Sequence, residues 1–133
     1  DSRLGWWQVL PPMPVPRSVC ACCAAVGVGG RGLPGCGRRL IVAAGGFNGL
    51  EGVPDVHAYD PSECAWEALA PLQTWHVGAA AACIEGRVYV LGGKTGIDSL
   101  MGECLDLQVG RWQYLPPAPM RHVYCVGAAV TGC

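Results

Sequence analysis

Arg87-Val88-Tyr89-Val90-Leu91-Gly92-Gly93 is a short run rich in Val and Tyr that stops at two glycines. Such residues suit a strand, and glycines directly after it permit positive φ where the chain turns sharply. Arg39-Leu40-Ile41-Val42-Ala43-Ala44-Gly45-Gly46 repeats the phrase, with Gly45 standing 47 residues before Gly92. Working outward, Asp60 and Asp106, Trp66 and Trp112, Pro71 and Pro117, and His76 and His122 are each 46 residues apart. Trp7 precedes Trp66 by 59 residues. The excess fits a long Gly-rich connection over 27–39, in the place of a tight Glu85-Gly86 turn. A fixed period of this size marks a repeat architecture.

Within each period the residues read as four short strands. In the first unit these are 18–26, 40–44, 56–59 and 66–69; in the second, 77–84, 88–91, 102–107 and 111–115. Residues 6–10 and 123–130 read as strands of neighbouring units. Pro11, Pro12, Pro14 and Pro16, then Pro71, then Pro116, Pro117 and Pro119, punctuate the joins, because proline cannot donate to a ladder. No stretch sustains a helical period.

Gly45-Gly46 and Gly92-Gly93, Tyr59 with Trp66, Trp112, and Leu-Pro-Pro-Met-Pro at 10–14 together resemble the kelch-repeat family. Leu105 stands where that motif has Tyr, and Trp75 aligns with the Arg supplied elsewhere by Arg17 and Arg121. The resemblance implies an all-β fold: β-propeller blades of four antiparallel strands, first strand innermost, in an incomplete ring. One kelch-repeat region over 1–133 is expected, with blades about 18–69 and 76–115 and partial blades at 1–10 and 121–133. The small-residue first strand suits the crowded axis, and Trp66 and Trp112 are expected to be buried between sheets.

The resemblance also implies a protein–protein interaction module. Leu-Pro-Pro-Met-Pro and Ala-Gly-Gly-Phe look like the F-box/kelch type, and BTB/kelch proteins are similar. The expected role is therefore the substrate-recognition part of a ubiquitin-ligase adaptor, not an enzyme, with protein partners that include a ligase substrate. The alternative is a fragment of a kelch-fold enzyme, either a galactose-oxidase-like oxidase or a sugar-acid isomerase. A copper site would need clustered Tyr and His ligands, and Tyr59, Tyr89, Tyr114 and Tyr124 show no such clustering. Neighbouring blades are expected from more of the chain or from self-association.

Composition agrees with a folded binding domain. The 133 residues are 51% hydrophobic and 14% charged, which excludes a disordered tract. A net charge of −1 makes no case for nucleic acid or an anionic membrane, and no apolar run approaches bilayer length. The chain opens on Asp1 without a signal-peptide pattern and reads as a segment of something longer, in the cytoplasm or nucleus. Nine Cys make an odd number, and Cys20, Cys22, Cys23, Cys83 and Cys125 lie in apolar runs. They read as reduced, buried thiols. The C-x-x-C spacing of Cys20 and Cys23 would put the two on opposite faces of a strand, which argues against zinc or redox use.

Other local patterns are weak. Gly27-Val28-Gly29-Gly30-Arg31-Gly32 has a dinucleotide-binding spacing, but Leu33-Pro34-Gly35 cannot open the helix it needs. Gly93-Lys94-Thr95 ends like a phosphate loop without the first glycine. No catalytic residue, metal ligand or cofactor is assigned. The candidate partner-binding surface is the face of the Pro-rich links and post-diglycine loops: Arg17, Phe47, Asn48, Trp75, His76, Lys94, Arg121 and His122. Trp75 is the first choice there, as a large apolar anchor.

Overall fold

The computed structural model describes residues 5–27, 37–96, 100–120 and 122–130. Among them are ten strands and no helix. Strands β1 (Ala21–Gly27), β2 (Arg38–Ala44), β3 (Val56–Asp60) and β4 (Ala65–Leu69) form one antiparallel sheet in chain order. A second sheet takes β6 (Ala80–Ile84), β7 (Arg87–Leu91), β9 (Met101–Asp106) and β10 (Arg111–Pro117), also in chain order. β5 (His76–Val77), which precedes the second sheet, pairs with β8 (Lys94–Thr95), which lies between β7 and β9, as a two-residue ribbon. These are consecutive four-stranded blades of a β-propeller whose ring is not closed.

The blades stack face to face through alternate residues. Leu40, Val42, Ala44, Val56 and Ala58 of the first sheet meet Ala81, Val88, Val90, Leu105 and Trp112 of the second in one core. The innermost strands β1 and β6 lie against each other. Their alanines allow that approach, with Ala21, Ala25 and Ala81 all buried. Tyr59 and Leu105 occupy matching positions and both are buried, so the Leu keeps the apolar role of the motif residue it replaces.

The turns follow their residues. Glu85 and Gly86 both have positive φ, 49° and 75°, the left-handed pair a two-residue hairpin needs between Ile84 and Arg87. Both diglycines also have positive φ, and a Cβ on Gly46 or Gly93 would lie 2.7 Å from the carbonyl oxygen of Ser18 or Val77 respectively. At the turn from third to fourth strand, Asp60 Oδ1 accepts from Ser62 N and Ser62 Oγ, and Asp106 Oδ1 accepts from Gln108 N and Val109 N. Ser62 and Arg38 hold the Asp60 carboxyl down to about 2. Its folded value is therefore below its unfolded one. The contribution of this turn is full at neutral pH and fades as pH falls from about 4 towards 2.

Three features differ from the strand pattern read in the sequence. The run 77–84 is not one strand: Gly78, at φ 72°, separates β5 from β6. Val19 and Tyr124, at φ 54° and 56°, hold the same place in their units. The cause is a change of partner. Ser18 bridges to Phe47 and Val77 to Lys94 beside the diglycine loops, and one left-handed residue then redirects the chain into the innermost strand. Residues 6–10 and 123–130 carry no ladder, and Trp7 is 103% exposed. A strand needs a neighbour along its length for its N–H and C=O groups, and there only Cys125 N has a backbone partner among the described residues, Gly78 O. Trp66 is only half-buried, whereas Trp112 is buried, because Trp112 lies between the two sheets and Trp66 lies on the outer face of the first. Residues 28–36 of the long connection lie outside the described residues.

Each sheet also has a face without a partner sheet. Val26 and Ile41 are exposed on the first, Ile84 and Leu91 on the second. Stacked units derive much of their stability from such interfaces. Residues 1–133 expressed alone should therefore self-associate or aggregate, which sedimentation velocity checks. A monodisperse monomer with a sharp cooperative melt would contradict this.

Candidate partner-binding face

The link 70–78 is tied to both blades. Towards the first, Leu72 N donates to Pro54 O and Gly46 N donates to His76 O. Towards the second, Trp112 Nε1 donates to Ala70 O at 2.7 Å, and Gln73 N and Thr74 N donate to the Glu103 carboxylate. The preceding link is held by the equivalent indole, Trp66 Nε1 to Pro11 O at 2.9 Å. The following link repeats two of the ties: Ala118 N donates to Leu100 O and Gly93 N to His122 O.

His76 sits at the centre of this fastening. It is 0% exposed, with Nδ1 3.0 Å from Gly92 O and Nε2 3.1 Å from Glu103 Oε2, and Glu103 is also 0% exposed. Both neighbours are acceptors, so one proton lies between Nε2 and Oε2 whichever of the two groups owns it. The first blade uses a different pair at the same place. Arg17 donates to Asp55 O at 2.6 Å and to Gly45 O at 3.3 Å, and its other arm lies 2.6 Å from His57 Nδ1. Arginine has only donors, so His57 Nδ1 is the acceptor. Desolvation, with Arg17 adding to it, pushes the His57 imidazolium below its ordinary range.

This register corrects the alignment of Trp75 with Arg17. Because Ser18 pairs with Phe47 and Val77 with Lys94, the residue matching Arg17 is His76. Trp75 matches Pro16. It is half-buried, with its indole against Gly52 and Gly96, one glycine from the loop after each diglycine. A Cβ on Gly96 would lie 2.6 Å from Trp75 Nε1, and one on Gly52 would overlap the ring. Trp75 is therefore a spacer between loops that leaves part of its ring to solvent.

The sequence-derived candidates divide accordingly. His76 and Arg17 are drawn into the scaffold by the bonds just given. Phe47, Asn48, Lys94 and His122 are exposed, and Asn48 Oδ1 accepts from Leu50 N and Glu51 N to shape its loop. Arg121 lies outside the described residues. Leu50, 91% exposed at the tip of the same loop, was missed by sequence reasoning. An apolar residue directly after Gly49 in a Gly-rich loop was the available signal. Among the described residues no three or more His, Cys, Asp or Glu side chains are grouped to hold a metal ion, and no helix is long and apolar enough to cross a membrane.

The Kelch motif matches residues 35–73 and 76–119. The chain belongs to the kelch-repeat family. Kelch-like protein 35 of Mus musculus is 37% identical over 81 residues, covering 59% of this chain and 14% of that protein. An F-box/kelch-repeat protein of Arabidopsis thaliana is 33% identical over 84 residues, 59% of this chain and 21% of that one. Kelch repeat and BTB domain-containing protein 7 of Homo sapiens is 31% identical over 68 residues, 49% of this chain and 10% of that protein. The chain thus spans about a tenth to a fifth of the length of these relatives. Its two four-stranded blades are of kelch type, and their links and post-diglycine loops are fastened by the backbone bonds given above.

Proposed function

We propose that this kelch segment is the substrate-recognition part of a ubiquitin-ligase adaptor acting in the cytoplasm or nucleus, and not an enzyme. The observation that carries the reading is a pair of exposed apolar side chains on a fastened loop. Phe47 is 37% and Leu50 91% exposed, Phe47 bridges to Gly52, against which the half-buried Trp75 packs, and Asn48, Lys94 and His122 are exposed too. Loops on a rigid scaffold bind partners at low entropic cost, and aromatic groups ringed by polar ones suit a protein surface. The F-box and BTB domains in the names of its relatives support the ligase connection.

Affinity capture with the full-length chain, scored for ligase scaffold subunits and for ubiquitinated co-purifying proteins, tests this reading. Scaffold subunits should be retained, and their absence would remove the ligase role. Replacing Phe47 and Leu50 together by Ala should weaken substrate capture about tenfold or more, as loss of a hot spot does. Stability should change by only about 0.5 kcal/mol for each of these exposed sites. Undiminished capture by that variant would place the binding surface elsewhere.

A further inference from the structure

Seven described cysteines are free. Cys22 is exposed and Cys20, Cys23, Cys83 and Cys125 are only half-buried, which departs from the expectation of buried thiols in the apolar runs; Cys64 is exposed too. The pair that meets is also not the C-x-x-C pair. Cys20 Sγ and Cys22 Sγ lie 3.5 Å apart where the chain enters β1. Left-handed Val19 turns the backbone there, and residues two apart on a strand share a face. Cys23 points to the opposite face, and burial pushes its thiol up to about 11.

We propose that Cys20 and Cys22 form a redox-sensitive dithiol, which a hydroperoxide converts into a disulfide within β1 and its entry. Cys20 is the attacking sulfur. The 3.5 Å contact with the Cys22 thiol, in which either sulfur can donate, and the positive field of the Arg17 guanidinium bring the Cys20 thiol down to about 6 despite its partial burial. Cys22 moves the other way, raised chiefly by the same hydrogen bond. This division of roles is what a thiolate and its resolving thiol require.

The chemistry balances in two steps. The Cys20 thiolate attacks the distal oxygen of the hydroperoxide; an S–O bond forms to give the sulfenic acid, the O–O bond breaks, and the displaced alkoxide or hydroxide takes up a proton and leaves as an alcohol or water. Cys22 sulfur then attacks the sulfenic sulfur, the S–O bond breaks, and water leaves with the Cys22 proton. The protein loses two electrons and the hydroperoxide gains them. The sulfurs must close from 3.5 Å to about 2.05 Å, by side-chain rotation together with a local shift of the backbone. A bridge across a single residue in extended chain is strained, and an exposed, strained disulfide is of the readily reduced kind. The site lies under the first diglycine loop: a Cβ on Gly46 would be 3.0 Å from Cys20 Cβ. Oxidation therefore falls next to the loop that carries Phe47 and Leu50.

The test treats the reduced full chain with stoichiometric hydrogen peroxide and follows the tryptic peptide 18–31 by mass spectrometry. That peptide should lose two hydrogens before Cys64 is modified. The loss should persist in Cys23→Ala, vanish in Cys22→Ser and reverse with a dithiol reductant. In Cys22→Ser, dimedone should trap a sulfenic acid on Cys20, and Cys20→Ser should slow oxidation of Cys22 at least tenfold. Oxidation that needs Cys23, or that reaches Cys64 first, overturns the proposal. So does a peptide that keeps its hydrogens throughout. Melting curves of the serine variants should match the parent, separating lost chemistry from lost fold.

Discussion

Trp112→Ala should cost about 3–5 kcal/mol, the range for removing a large aromatic side chain from a packed core. Trp112 is only 5% exposed and belongs to the cluster between the two sheets, so its loss leaves a cavity with β-sheet on both sides. It also removes the indole donor to Ala70 O and leaves that carbonyl of the inter-blade link without this partner. The repeat-equivalent Trp66→Ala should cost less, about 1–2 kcal/mol, because stabilisation follows the apolar area removed from water. Trp66 is half-buried, tilted against Tyr59 at 5.3 Å between ring centroids, with its N–H on Pro11 O. Denaturant melts of the full-length chain carrying each substitution measure the difference. Equal costs would mean that Trp66 is covered in solution as fully as Trp112. A cost under about 1 kcal/mol at Trp112 would be incompatible with its place in the core.

Glu103→Ala is expected to be as damaging, about 3–5 kcal/mol, for an electrostatic reason. Its carboxylate accepts from Gln73 N and Thr74 N and faces His76 Nε2, in a site closed to solvent. Removing it leaves two link amides and one imidazole nitrogen buried without these partners, and each buried unpaired group costs roughly 1–3 kcal/mol. Glu103→Gln keeps a carbonyl acceptor for the amides and should cost less than the Ala change. Thermal melts of both variants, with amide exchange of Gln73 and Thr74 as the local readout, test this. Slow exchange at both amides in Glu103→Ala would show that the link is held without the carboxylate.

The fold was legible because its signals are local or periodic. Diglycines at 45–46 and 92–93 permit positive φ whatever surrounds them, and Glu85-Gly86 carries its own turn chemistry. Asp60 and Asp106 were found by period, and each caps a turn through bonds within three residues. These features led from 133 residues to four-stranded blades without a tertiary contact being known.

The candidate site was legible only in outline. The links and post-diglycine loops could be located from the period, but which of their side chains remain free depends on contacts across 16 to 40 residues. Arg17 and His76 look alike in sequence to Phe47 and Lys94 as polar or aromatic loop residues, yet packing puts the first two into fastenings. The pairing of Arg17 with His57 and of His76 with Glu103 uses different chemistry at one position, so no single residue pattern announces it. The approach of Cys20 to Cys22 likewise depended on Val19 adopting a conformation that a Val seldom adopts. Sequence by itself determined the repeat, most of the blade strands and the tight turns, since these rest on backbone preferences and period. Tertiary structure alone decided burial and side-chain partnership, because both depend on which surfaces meet when one blade stacks on the next.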